Sequence, residues 1–403
     1  MVGPLTFFFV WRVLNNAIKM GLRRLYFLAR DGLILKKVAE LLVNKWGLDI
    51  ELRYLCCSRE SLLLPSLDHV NEFELTWITW GYLSSISIEE ICRRVRIELN
   101  DLAKHIPEYH LSHIISNPSS PLTLEDLNTL RKVLADSAIE KIIKEKNSDI
   151  YEAAIGYLEQ EGLFNGSPFG LVDTGWRGSS QYAISSLLDK AKSRPGNGVV
   201  GFYLGINNDK WVYKNDRLFP FMFDWSKQNR DYRLYNFLCF ELLFAAAHGR
   251  TLRYENRNGN FRPVLETSAS GDLSPMIKLH HESAIQFADY ASRLVSLSDY
   301  HKSFPVLCNL LARKLISSPT SDEAGVYGKF KTGSEITERD MQCIAPEMSY
   351  IDLLMIATGR KKIKGFWPQG SMARSNLITA QFLYRIFLDM KLLDWFRKCF
   401  LKY

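Results

Sequence analysis

Two short turns in this chain gather the residue types that handle phosphate. The first is Ala29-Arg30-Asp31-Gly32, which follows the apolar residues 25–28 and precedes a helix-like stretch at 33–46. The second is Asp173-Thr174-Gly175-Trp176-Arg177-Gly178-Ser179-Ser180, which follows the apolar residues 169–172 and precedes a helix-like stretch at 182–190. A buried strand that breaks at glycine and opens a helix leaves free backbone N–H groups at the positive end of that helix. Open α/β sheets hold phosphates there, outside the carboxyl ends of their strands. Two such turns, each with one Arg and one Asp, point to a ligand with more than one phosphate.

Several chemistries are excluded. A haloacid-dehalogenase-type phosphatase needs strand-Asp-x-Asp-Gly, and Ala29 stands where the nucleophilic Asp would be. A methyl group cannot attack phosphorus, so covalent phosphoryl transfer is excluded at this strand. No G-x-G-x-x-G follows the first strand, and no Walker G-x-x-x-x-G-K-[ST] occurs. The eight histidines are scattered, and His280-His281 is their one adjacent pair. Adjacent side chains on a helix point apart, which argues against a metal site there.

The elements that must position these turns are legible around them. Residues 3–20 read as an amphipathic helix, 25–29 as a strand, 33–46 as a helix and 51–57 as a second strand, a βαβ unit. Residues 72–165 change character: Ser87-Ile88-Glu89-Glu90 and Thr123-Leu124-Glu125-Asp126 read as capping boxes within a helical insertion. Strands are expected again at 169–173, 198–205 and 217–223, with an apolar helix at 234–247. Residues 253–265, interrupted by Asn256-Arg257-Asn258-Gly259-Asn260, read as a hairpin. From about Ser274 the pattern is mainly helical, ending in the Leu-, Ile- and Phe-rich residues 375–403. The expected class is α/β with a mainly parallel sheet in 1–71 and 166–272, a helical insertion at 72–165 and a helical C-terminal region at 273–403.

With 403 residues, 47% hydrophobic and 24% charged, the composition is that of a globular chain. A formal net charge of +7 favours anionic ligands without choosing among them. The seven cysteines are odd in number and include no C-x-x-C, so small buried thiols in a reducing compartment are expected rather than disulfides or zinc. The apolar residues 5–11 are too short to span a bilayer. The expected location is cytoplasmic, with peripheral contact at the inner membrane face as a secondary expectation through 375–403 or Lys361-Lys362-Ile363-Lys364. No nucleic-acid partner is expected.

The segments Tyr26-Phe27-Leu28-Ala29-Arg30-Asp31-Gly32, Tyr54-Leu55-Cys56-Cys57-Ser58-Arg59 and Val172-Asp173-Thr174-Gly175-Trp176-Arg177-Gly178-Ser179 resemble a phosphoribosyltransferase-like region of bacterial surface-polysaccharide proteins, over about residues 3–266. That region is often described as a predicted hydrolase associated with phosphatase domains, and some of its members are glycan phosphoribosyltransferases. The resemblance implies a phosphoribosyltransferase-like fold and transfer of 5-phosphoribofuranosyl from phosphoribosyl pyrophosphate to a glycan acceptor, including lipid-linked ones. It further implies magnesium as cofactor and a separate haloacid-dehalogenase-type phosphatase as partner. On this resemblance Arg30 and Gly32 fit the pyrophosphate loop, and Asp173 fits the acid that holds the ribose hydroxyls. Thr174, Gly175, Gly178, Ser179 and Ser180 fit the 5-phosphate cradle, with Arg177 adding a charge-assisted contact. Thr174-Gly175 follows Asp173 directly, where the usual loop has two adjacent acids and a spacer.

The remaining assignments each have a structural rival. Asp31 is the first choice for the base and a magnesium ligand, and a helix cap is its rival. Glu241 is the second choice for the base, against an ion pair with Arg233 or Arg253. Ser58 and Arg59, at the end of the second strand, are assigned to phosphate contact. Trp176 either stacks on a sugar or packs its loop, and Tyr203, Trp211 and Tyr213 either line an acceptor groove or pack a strand face. The alternatives to transfer are a non-catalytic scaffold that binds a sugar phosphate or nucleotide, and a phosphosugar hydrolase.

Overall fold

The computed structural model describes residues 1–79, 86–106, 110–207, 211–224, 237–267, 274–332, 342–349, 351–352, 355 and 367–375. The chain divides into two compact units, one of residues 2–228 with 244–301, the other of residue 1, 229–243 and 302–403.

The first unit is built on one sheet. Helix α1 (Val2–Lys19) leads into β1 (Arg24–Leu28), α2 (Gly32–Trp46) and β2 (Glu51–Leu55). All five residues of β1 are buried, as a central strand of a parallel sheet requires. Helix α2 stops at Gly47, which takes the left-handed conformation at φ 61°. The expected strand at 51–57 ends two residues early, because Ser58 opens a helix, α3 (Arg59–Ser66). Arg59 is therefore a first-turn helical residue. Helices α4 (Glu72–Ile78), α5 (Ile88–Val95), α6 (Leu99–Ala103), α7 (Ser112–Ile115), α8 (Leu124–Leu134), α9 (Ser137–Lys146) and α10 (Ser148–Gln160) form the insertion. Thr123 makes the reciprocal capping box with Asp126, and Ser87 accepts from the Glu90 N–H.

The chain returns in β3 (Phe169–Asp173), followed by α11 (Ser179–Lys190), β4 (Val200–Ile206) and β5 (Arg217–Asp224). The five strands are parallel throughout, in the order β2-β1-β3-β4-β5. Gly196-Asn197-Gly198-Val199-Val200-Gly201 carries the glycine spacing of a dinucleotide fingerprint, but it leads into β4 and so lies at the amino end of a strand. Helix α12 (Phe237–Phe244) follows in sequence, and β6 (Thr251–Arg257) pairs antiparallel with β7 (Asn260–Leu265), as expected of the hairpin. That hairpin packs on α10 and α3. Helix α13 (Ser274–Ala291) packs on α1 and α2.

The second unit holds α14 (Phe304–Ser317), α15 (Ser321–Tyr327), the two-residue strands β8 (Lys331–Thr332) and β9 (Gln342–Cys343), and α16 (Pro368–Arg374). Its described core centres on Trp367, whose Nε1 donates to the Ile316 carbonyl at 2.8 Å. The small β8–β9 pair interrupts a region that is mainly helical, as expected. Residues 376–403 and 361–364 lie outside the described residues. The architecture is α/β with a parallel sheet, a helical insertion and a mainly helical C-terminal region. No helix among the described residues is long and apolar enough to cross a membrane.

Candidate functional site

In a sheet of order 2-1-3-4-5 the connections from β1 and β3 leave toward opposite faces, which opens a crevice between their carboxyl ends. Both phosphate-type turns lie there. The Ala29 N–H donates to the Leu55 carbonyl at 3.0 Å, which ties the end of β1 to β2, and the Leu33 N–H donates to the Arg30 carbonyl at 3.1 Å. A Cβ on Gly32 would lie 2.7 Å from the Phe27 carbonyl carbon, so the close pass of α2 over its own strand demands glycine.

Asp31 occupies the N-cap position of α2, but its side chain makes no capping hydrogen bond. Its carboxylate instead accepts a hydrogen bond from the Thr174 hydroxyl in the other turn. Thr174 is buried beneath the crevice. The capping rival for Asp31 is thus not the role its carboxylate plays.

The second turn is braced against β4. The Gly205 N–H donates to the Thr174 carbonyl at 3.3 Å, and the Asn207 N–H donates to the Trp176 carbonyl at 2.7 Å. Gly175 has φ 136°, and a Cβ there would lie 2.3 Å from the Gly205 carbonyl oxygen. The Trp176 ring lies parallel to Phe223 at 5.9 Å between centroids, so one indole face is turned toward the protein. Gly178, at φ 70°, is the N-cap of α11 and has no side chain to close that helix end. Ser179 and Ser180 form its first turn, half-buried. Each turn contains one cis non-prolyl peptide, Ala29-Arg30 and Gly175-Trp176.

Two arginines interact electrostatically at this end of the sheet. Burial holds Arg177 below its ordinary pKa, and the positive charge of Arg59 lowers it further. Arg59 is exposed and makes no ion pair with a described residue. Like charges near one another at partial burial raise each other's cost of ionisation, and an anion bound between them would lower it. Ser58 is the N-cap of α3: its hydroxyl accepts from the Ser61 N–H at 3.1 Å and donates to the Thr251 carbonyl at 2.5 Å. Its proton is committed to the hairpin.

Two further polar groups, neither assigned a role from sequence, stand beside Asp31. The Tyr54 hydroxyl lies 2.7 Å from His248 Nε2 and 3.5 Å from the Arg30 carbonyl. His248 Nδ1 lies 2.8 Å from the Gly249 carbonyl, which can only accept, so the neutral ring carries its proton on Nδ1 and takes the Tyr54 proton at Nε2. Burial pushes the Tyr54 phenol well above its ordinary range, with smaller upward contributions from Cys56, Cys57 and Asp31. Tyr54 is therefore a neutral donor. Burial also raises the Cys57 thiol, and the Asp173 charge adds to it, so Cys57 is not a thiolate nucleophile.

Other predicted residues are accounted for by packing or lie in other elements. Glu241 lies on α12 in the second unit. Arg253 pairs with Glu255 at 2.7 Å, and Arg233 lies outside the described residues. Tyr203 is fully buried and donates to Gln181 Oε1 at 2.8 Å, so it packs the sheet rather than lining a groove. Trp211 packs on Phe73 and Tyr213 on Tyr182. Among the described residues no three His, Cys, Asp or Glu side chains form a metal cage. The sequence matches no family model and no curated protein.

Proposed function

We propose that this chain is a magnesium-dependent phosphoribosyltransferase that moves 5-phosphoribofuranosyl from phosphoribosyl pyrophosphate to a glycan acceptor in bacterial surface-polysaccharide synthesis. One observation carries the reading: the turns after β1 and β3 are joined by the Thr174–Asp31 hydrogen bond at the crevice of the sheet. Two helix N-termini, those of α2 and α11, open there without a side-chain cap. A donor with a diphosphate on one carbon and a phosphate on another needs two anion sites a ribose apart. The Arg59–Arg177 pair supplies positive charge that a phosphate would bridge.

On this reading Arg30 and the Gly32 amide hold pyrophosphate, and Ser179, Ser180 and the Gly178 turn hold the 5-phosphate. Asp173 holds the ribose hydroxyls. The C1–pyrophosphate bond breaks, pyrophosphate leaves with the electron pair, and a glycan hydroxyl bonds to C1 while its proton passes to a base. Oxocarbenium character develops at C1, which a nearby carboxylate stabilises. Asp31 is the candidate for that base. Magnesium suits the donor set, because it takes one or two carboxylates and completes its shell with water and substrate phosphates. Asp31, whose carboxylate is not spent on a helix cap, is the residue that would hold it. When bound with pyrophosphate, magnesium neutralises charge on the leaving group. The phosphate retained on the product is the task of a separate phosphatase, and a lipid-linked acceptor would place the chain against the inner membrane face.

Calorimetric titration of phosphoribosyl pyrophosphate, with and without magnesium, tests the donor on wild type and Asp173→Asn. Magnesium-dependent binding that weakens in the variant is expected. No binding to folded wild type would sink the proposal. Binding without transfer to any acceptor would leave a phosphosugar-binding scaffold, and release of phosphate from a model ester would revive a hydrolase.

A further inference from the structure

Helix α14 presents an aliphatic face outward. Val306, Leu307, Leu310 and Leu311 are 60%, 46%, 58% and 37% exposed, while Pro305, Cys308, Ala312, Leu315 and Ile316 are buried on the other side. At 100° per residue the four exposed aliphatic residues share one side of the helix. Lys302 precedes this patch and Arg313 and Lys314 follow it, all three exposed and none paired with a described carboxylate. No acidic residue occurs within α14. The two ends of an apolar patch are thus positive.

From this arrangement we infer that α14 is a docking surface for an anionic lipid bilayer. Lying in the plane of the interface, the helix would sink Val306, Leu307, Leu310 and Leu311 among the acyl chains and leave the basic residues at the headgroups. Charge decides against the other occupants. A second copy of the same face would bring Lys302 toward Arg313 and Lys314, or each toward its own copy, and so pair like charges. Residues 376–403 of this chain carry five basic against two acidic residues and would repel in the same sense. Protein interfaces are anchored by Trp, Tyr and Arg, whereas this patch is wholly Val and Leu. The inference is independent of the proposed transferase chemistry, since it concerns the second unit and needs no sugar phosphate.

Vesicle co-sedimentation of the full chain tests it, with phosphatidylcholine–phosphatidylglycerol vesicles set against pure phosphatidylcholine. Wild type should bind the anionic vesicles and release them in high salt. The Leu307→Asp/Leu310→Asp variant should lose at least about tenfold in affinity, and Lys302→Glu, Arg313→Glu and Lys314→Glu about fivefold each. Melting curves read in parallel should show all variants folded. Equal binding by wild type and the double variant would overturn the inference. So would a fall in melting temperature with unchanged binding, which assigns the face to the chain's own residues. A dimer that the double variant dissociates would give it to a second copy, and a vesicle-insensitive chain captured by an acidic partner would give it to a protein.

Discussion

The Thr174 hydroxyl donates to the Asp31 carboxylate across a separation of 143 residues, and this bond ties the loop after β1 to the loop after β3. Thr174 is nearly inaccessible, whereas Asp31 is half-exposed, so the threonine side fixes the geometry and the acid side faces the crevice. Thr174→Val keeps the shape and removes the donor. A hydrogen bond to a charged group contributes about 1.5–3 kcal/mol. The variant should lose roughly that stability and bind pyrophosphate at least about tenfold more weakly, while Thr174→Ser should recover most of both. Urea unfolding and calorimetry read the two effects, and unchanged affinity in a folded Thr174→Val protein would remove this bond from the site.

Arg59 and Arg177 lead to a trade of stability against binding. Arg177 is held below its ordinary pKa by burial and then by Arg59, so removing Arg59 relieves repulsion in the ligand-free protein. Arg59→Ala should melt at or above the wild-type temperature and yet bind inorganic pyrophosphate about tenfold more weakly, with a shallower dependence on salt. A lower melting temperature with unchanged affinity would make Arg59 a structural residue.

Gly175 should tolerate no side chain. At φ 136°, with Gly205 oxygen 2.3 Å from a built Cβ, Gly175→Ala must displace either the turn or β4. A loss above about 2 kcal/mol is expected, with phosphate-ligand binding abolished. Gly196→Ala is the control, since nothing lies within 4 Å of its Cβ, and it should melt within about a degree of wild type.

His280, on α13, is buried and drops from 6.5 to about 4, through burial first and then its neighbour His281. Between those values the unfolded chain takes up a proton that the folded chain refuses. Stability is therefore present above pH 6.5 and is lost as pH falls toward 4, by at most about 3 kcal/mol. His281 is lowered as well and acts in the same direction. His280→Gln should flatten the fall in melting temperature between pH 7 and 5. A profile identical to wild type would place the titration elsewhere.

Much of the sheet could be read from runs of five or so apolar residues ending in glycine, and β3 falls on its expected residues. Helix α3 could not, because Ser58 caps with Ser61 in place of the usual Glu or Gln, and an apolar run after a strand shows no helical period over so few residues. Strands β8 and β9 have two residues each, too few for any alternation to register. The phosphate-type turns were legible as separate motifs, whereas the bond that joins them is tertiary. Tyr54 and His248 stand 194 residues apart; Tyr54 begins a segment singled out for Ser58 and Arg59, and no local pattern marks His248. Trp211 and Tyr213 show the converse: aromatic residues suggestive of a sugar groove are spent on neighbouring rings.

The helical insertion also bears on how the chain is made. β1 pairs with β2 as soon as both exist, but its other edge belongs to β3, about 140 residues further along. At a synthesis rate of about 5–20 residues per second, that edge waits roughly 7–28 s for its partner. During this interval an apolar strand has one row of backbone donors and acceptors unmatched, the state most open to pairing with another nascent chain. The two halves of the crevice are therefore united late in biosynthesis, and yield in a heterologous host should depend on trigger-factor-type holdase capacity more than on the stability of the finished protein.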